Sequence, residues 1–156
     1  MSNEHHMRRA IALSMQMMRS NRGGPFGAVI VKDGKVIAEG ANEVTSTNDP
    51  TAHAEITAMR RACQALQTFD LSGCEIYTNC EPCPMCLGAI YWARISRIYY
   101  ANDRHDAARV GFRDDQLYCE IPLPPAQRAI PAQPLLRVEG KAVFDEWLRK
   151  PDKVEY

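Results

Sequence analysis

No stretch of the chain approaches the roughly 18 consecutive apolar residues that a membrane-spanning helix needs, and Met1-Ser2-Asn3-Glu4-His5-His6 lacks the apolar run of a secretion signal. Both absences predict a cytoplasmic protein with no membrane partner. Net charge is missing too: 19 Lys and Arg balance 19 Asp and Glu, and the sequence pI of about 6.9 lies near neutrality. A surface built to neutralise many phosphates is therefore not expected, and nucleic acid is disfavoured as a partner. The chain also has no internal repeat and no low-complexity tract, which excludes a repeat architecture.

What is present is a chain of 156 residues, 46% of them hydrophobic, enough for one domain with its own core and no disulfide support. Six cysteines are available, but only Cys83 and Cys86 have the spacing of metal ligands. In a reducing compartment Cys63, Cys74 and Cys119 read as packing residues. Cys80, just before the ligand turn, reads as buried and apolar in preference to a fourth ligand, for which His105 is a remote second candidate.

Met7, Ile11, Met15 and Met18 recur at helical spacing and predict the buried stripe of a first helix. Phe26 to Val31 and Val36 to Gly40, joined at Asp33-Gly34, predict an antiparallel hairpin. A helix follows from His53 to about Leu66, with His53 in its first turn. Cys74 to Thr78 is a third strand, Pro82 and Pro84 suit the start of the next helix, and Ile95 to Ala101 is a fourth strand. Asp103 to Val110 and Asp114 to Glu120 read as short helices. Leu135 to Val138 reads as a fifth strand and Val143 to Arg149 as a last helix. Residues 121–134 carry five prolines and predict an extended connector. The fold class is therefore α/β, a layered sheet with helices on both faces.

Two short motifs carry the chemistry. His53-Ala54-Glu55 offers an imidazole and a carboxylate, and Glu81-Pro82-Cys83-Pro84-Met85-Cys86 offers two thiolates on one helical turn. Two thiolates and one imidazole leave the fourth tetrahedral position of a zinc ion for water, which zinc acidifies to a pKa of roughly 7. Glu55 would then serve as a proton shuttle. Its spacing from His53 points the two apart in a regular helix, so the first turn has to approach the metal end-on. Taken singly, C-x-x-C is as compatible with a structural zinc half-site or a redox pair, and H-x-E is uninformative.

The paired signature is that of zinc deaminases. At these residues the chain resembles the cytidine deaminase-like superfamily and, over nearly its whole length, the bacterial guanine deaminases. Pro25 to Val31, Asn42, Asn48 to Glu55, Cys80 to Arg94, Gly111-Phe112 with Asp114, and the terminal Tyr156 carry the likeness. It implies a three-layer α/β/α sandwich on a mixed five-stranded sheet, formed by one domain over residues 1–156. It also implies a homodimer that exchanges segment 135–156 beyond the 121–134 connector. It implies one Zn²⁺ per subunit on His53, Cys83 and Cys86, with Glu55 and Asp114 as catalytic residues. Phe26, Asn42 and Tyr156 would bind a small purine, converted from guanine to xanthine and ammonia in purine catabolism or salvage. Without the likeness, Phe26 is strand packing, Asn42 a loop turn and Asp114 a helix cap. A tRNA adenosine deaminase, a cytosine-type aminohydrolase and a non-catalytic zinc-stabilised binding module remain as alternatives.

Overall fold

The structure is a computed structural model that describes residues 2–156. Helix α1 (Asn3–Arg19) starts at Ser2, whose hydroxyl accepts the His5 amide, and ends where Asn21 turns left-handed at φ 55°. Strands β1 (Gly27–Lys32) and β2 (Lys35–Ala41) form the expected hairpin, with Asp33 and Gly34 both at positive φ. A short helix α2 (Val44–Thr47) leads to α3 (Ala54–Leu66). Strand β3 (Cys74–Cys80) pairs antiparallel with β1. Helix α4 (Pro84–Trp92) then crosses to β4 (Arg97–Asn102), which lies parallel to β3. The sheet order is β2-β1-β3-β4.

Alternation along β1 divides the core into two layers. Ala28 and Ile30 pack with Ala54, Ala58 and Ala62 of α3 and with Ile90 of α4. Val29 and Val31 pack with Ala10 of α1 and with Tyr77. Helices therefore cover both faces of the sheet, and two glycines set how closely. A Cβ on Gly27 would lie 2.3 Å from the Ala10 carbonyl oxygen, and one on Gly40 would lie 2.3 Å from the Ala54 carbonyl oxygen and 2.4 Å from the Ala58 nitrogen. Both helices rest their backbones directly on the strands.

That close approach shifts the buried face of α1 away from most of the expected stripe, of which Met7 packs against the core. The buried face is His6, Ala10 and Ser14, whereas Ile11, Met15 and Met18 are 37%, 38% and 45% exposed. Where the strand is approached this closely the helix carries the small Ala10 and Ser14, and helical spacing alone cannot say which of two neighbouring stripes turns inward. Cys74 is buried and Cys63 half-buried as expected, but Cys119 is exposed.

The chain divides into two units, residues 1–115 and 116–156. Helices α5 (Arg104–Arg109), closed by a reciprocal Asp103/Asp106 cap, and α6 (Asp114–Glu120) form near the expected places. In the second unit, the proline-rich stretch contains a 3-10 turn at Pro125–Gln127, and the Arg128 guanidinium donates to the carbonyls of Ile121 and Leu123. The expected fifth strand at Leu135 to Val138 is not formed, and the mixed sheet of the described residues has four strands. Leu136 caps helix α7 (Arg137–Arg149) from the left-handed region, and the β-branched Val138 falls in its first turn. Three apolar residues in a stretch of four, with Arg137 among them, are too few to distinguish a strand from a helix start, and Val143, Phe144, Trp147 and Leu148 continue the helical period. No helix of the described residues is long and apolar enough to cross a membrane.

Candidate active site

β3 delivers the chain into the turn Glu81 to Cys83, where Pro84 occupies the first helical position and Cys83 the cap of α4. Cys86 follows on the same side, fully buried. Across from it, His53 is the cap of α3 with extended backbone angles, not a residue of its first turn. This corrects the sequence reading and resolves the spacing problem. The bend between His53 and the helix lets the imidazole and the Glu55 carboxylate reach one cavity, although positions two apart inside a helix diverge. Gly40 seats the start of α3 on β2 and so sets the height of His53 above the sheet edge.

The His53 Nδ1 atom lies 3.6 Å from Cys83 Sγ and 3.5 Å from Cys86 Sγ. Zinc bond lengths of about 2.3 Å to sulfur and 2.0–2.1 Å to nitrogen, at a tetrahedral angle, require an N···S edge of about 3.6 Å. The residues fit the ion. No other group of three such donors occurs among the described residues, and three protein donors is the count of a catalytic site. Charge agrees with geometry: the Cys86 thiol donates to Cys83 and, with nearby His53, pulls the Cys83 pKa down to about 4 against the effect of burial. Cys86 is raised in turn by that same bond and by burial. A dication is what allows both sulfurs to be thiolates at once.

Beside them opens a cavity of about 480 Å³ onto which Phe26, Asn42, His53, Glu55, Cys83 and Asp114 all face. Glu55 is buried, and that burial, reinforced by Cys83, pushes its pKa up to about 7 while His53 and Cys86 oppose the shift. It stands outside the metal-ligand group. Asn42 is buried with Oδ1 accepting the amides of Gly24 at 3.2 Å and Val44 at 3.3 Å. Two backbone donors fix which end of the amide is oxygen, and the Nδ2 donor remains for the cavity. Asp114 opens α6, its pKa raised by burial and then by Cys83.

Phe26 meets Phe112 at 4.7 Å between ring centroids and 81° between planes. The sequence places Phe112 near Asp114, but this contact spans most of the first unit and has no local signature. Cys80 lines the same cavity outside the metal-ligand group; burial and then Glu55 push its pKa up to about 12, so it remains a thiol. His105 is exposed on α5. Glu81 grips the start of α5, accepting the Arg104 amide at 3.0 Å and pairing with its guanidinium at 3.1 Å. Tyr156 is exposed in the second unit.

Two buried thiols with a half-buried imidazole, a buried carboxyl whose pKa lies near neutrality and an aromatic-walled cavity together suit hydrolysis at an electron-poor ring carbon. Comparison with known proteins agrees. The family model described as cytidine and deoxycytidylate deaminase zinc-binding region matches residues 1–102. The guanine deaminase of Bacillus subtilis is 50% identical over 156 residues, all of both chains, and its crystal structure superposes with a TM-score of 0.97 over 100% of this chain and 99% of that one. A structure of guanine deaminase from Nitrosomonas europaea is 33% identical with a TM-score of 0.69, over 72% of this chain and 65% of that one. The tRNA-specific adenosine deaminase of Agrobacterium fabrum is 53% identical over 76 residues, 49% of this chain and 50% of that protein. The chain belongs to the cytidine and deoxycytidylate deaminase zinc-binding family, in the same group as the Bacillus subtilis enzyme.

Proposed function

We propose that this protein hydrolyses guanine to xanthine and ammonia, with one zinc ion held by His53, Cys83 and Cys86. The substrate assignment is carried by the likeness to a guanine deaminase over the full length of both chains. When bound, the ion supplies the Lewis acidity that makes water nucleophilic at neutral pH.

Glu55 does the proton work. Water adds to C2 of the purine, the Glu55 carboxylate takes its proton and passes it to N3, and the exocyclic amine leaves as ammonia once it is protonated in turn. A carboxyl near neutrality can move protons in both directions. Phe26 offers its ring to the flat purine, Asn42 Nδ2 donates to an acceptor on the ring edge, and Asp114 receives the exocyclic amine. The finer assembly belongs to the same proposal: residues 135–156 are exchanged with a second copy, and the Tyr156 of each chain covers the cavity of the other. The exposed Val143, Phe144 and Leu148, which share one side of α7, support it, because an uncovered apolar helix face calls for a cover.

A half-length sequence likeness to the tRNA enzyme, and a structural likeness to a tRNA:A34 deaminase at 37% identity and a TM-score of 0.64 over 82% of this chain, favour a second reading, tRNA adenosine deamination. Zinc-loaded protein offered guanine, cytosine, adenosine and tRNA separates them. Ammonia and xanthine from guanine alone are expected. Inosine in tRNA with guanine untouched would replace the proposal with the second reading, and no product from any of them would favour a binding module.

A further inference from the structure

We infer that Asn79 is a positioning residue for substrate binding that acts through Phe26. The inference rests on the reading of Phe26 as the surface that meets the purine. The β1–β3 ladder runs from Lys32↔Cys74 to Ala28↔Thr78, and one more step would bring Gly27 opposite Asn79. The backbone ladder stops there. In its place, the Asn79 side chain accepts the Gly27 amide on Oδ1 at 2.8 Å and donates from Nδ2 to the Pro25 carbonyl at 2.9 Å.

One side chain therefore brackets Phe26 from both neighbours. Both backbone groups of Phe26 itself are also held: its amide donates to the Gly24 carbonyl at 2.8 Å, and its carbonyl accepts the Asn42 amide at 3.0 Å. Pro25 has no amide with which to continue a ladder, and its carbonyl takes its hydrogen bond from Asn79 Nδ2. Replacing ladder bonds with two hydrogen bonds from a side-chain amide lets the chain leave the sheet at Phe26 and still hold the ring in place. On the other side, the Asn79 carbonyl accepts Asn102 Nδ2 at 2.8 Å, tying the end of β4 to the same point.

Asn79 is buried and does not line the cavity. It cannot touch substrate, so its influence has to pass through what it holds. Phe26 is the one cavity residue between its two bonds, and through the ring contact at 4.7 Å Phe26 also supports Phe112. A ring that binds ground state and transition state alike affects KM more than kcat when it is misplaced.

The test is a double-mutant cycle of Asn79→Ala and Phe26→Leu in the full-length, zinc-loaded enzyme, reading KM and kcat for guanine and the Kd of 8-azaguanine. Asn79→Ala is expected to raise KM and Kd about tenfold with kcat changed less than about threefold, and in the Phe26→Leu background the factor shrinks below about two. Asn79→Asp keeps the acceptor for Gly27 but loses the donor to Pro25. It gives an intermediate KM, and it replaces the alanine variant in the cycle if that variant fails to fold. Equal factors in both Phe26 backgrounds, or a parental KM for Asn79→Asp, would overturn the inference while leaving guanine hydrolysis intact. A parent enzyme that binds the analogue without converting guanine overturns the proposed reaction, and the cycle still reads on Kd. A parent enzyme that neither converts guanine nor binds the analogue overturns both.

Discussion

Glu55 and the metal ligands were the most legible residues, because their chemistry lies in residue type and close spacing: an imidazole two places from a carboxylate, two thiols three places apart. What spacing could not supply was backbone direction. His53 reads as helical from the pattern around it, yet it is the cap, and only the extended cap conformation lets it share a cavity with Glu55. Asn79 has no such signature, since β3 also carries Glu75 and Thr78 and the two partners of its side chain lie 52 and 54 residues away. At this scale the first prediction concerns Glu55, which is outside the metal-ligand group and lines the cavity. Glu55→Gln should bind zinc in full and lose at least about 10²-fold in kcat, the contribution of a positioned proton donor and acceptor. Metal content by atomic emission beside steady-state rates checks it; a variant with more than about a tenth of parental activity removes Glu55 from the mechanism.

Elements were legible where turn chemistry is strong and illegible where packing decides. Asp33-Gly34 set the β1–β2 hairpin, and Pro84 set the start of α4. The inward face of α1 and the identity of residues 135–138 depended on neighbours distant in the chain. Gly40 shows how tightly elements and site are joined. An alanine there meets backbone atoms of α3 and not a flexible side chain, so the helix has to lift. Gly40→Ala should destabilise the fold by about 1–3 kcal/mol and weaken zinc binding, since His53 moves with α3. Urea unfolding and a competitive zinc titration measure the two effects, and unchanged zinc affinity would show that α3 does not set the ligand position. A second prediction concerns the turns that join helices to strands on the opposite edge. Asp70 accepts the Ser72 hydroxyl and amide and pairs with Arg94, which lowers its pKa to about 2. A depressed carboxylate contributes stability that is present above its ordinary pKa near 4 and is lost as the pH falls through about 2. The stability gap between parent and Asp70→Asn should therefore be full at pH 5 and close between roughly pH 4 and 2, as read from urea midpoints; a gap independent of pH would contradict the ion pair.

For the molecule as a whole, the first 115 residues hold the sheet, the metal donors and the cavity, whereas the last 41 present exposed apolar side chains. The proposed exchange accounts for that contrast by making the second unit a cover for another copy. Removal of Lys153 to Tyr156 should raise KM for guanine or lower turnover with zinc content unchanged; kinetics equal to the parent would reduce the tail to an uninvolved end. The central claim is that water, activated among His53, Cys83, Cys86 and Glu55, displaces the amine of guanine. The most direct measurement is mass spectrometry of the product formed in heavy-oxygen water by zinc-loaded enzyme. The account predicts xanthine carrying one heavy oxygen, at C2, with one ammonia released for each xanthine. Guanine recovered unchanged from zinc-replete protein, or xanthine without the label, would contradict it.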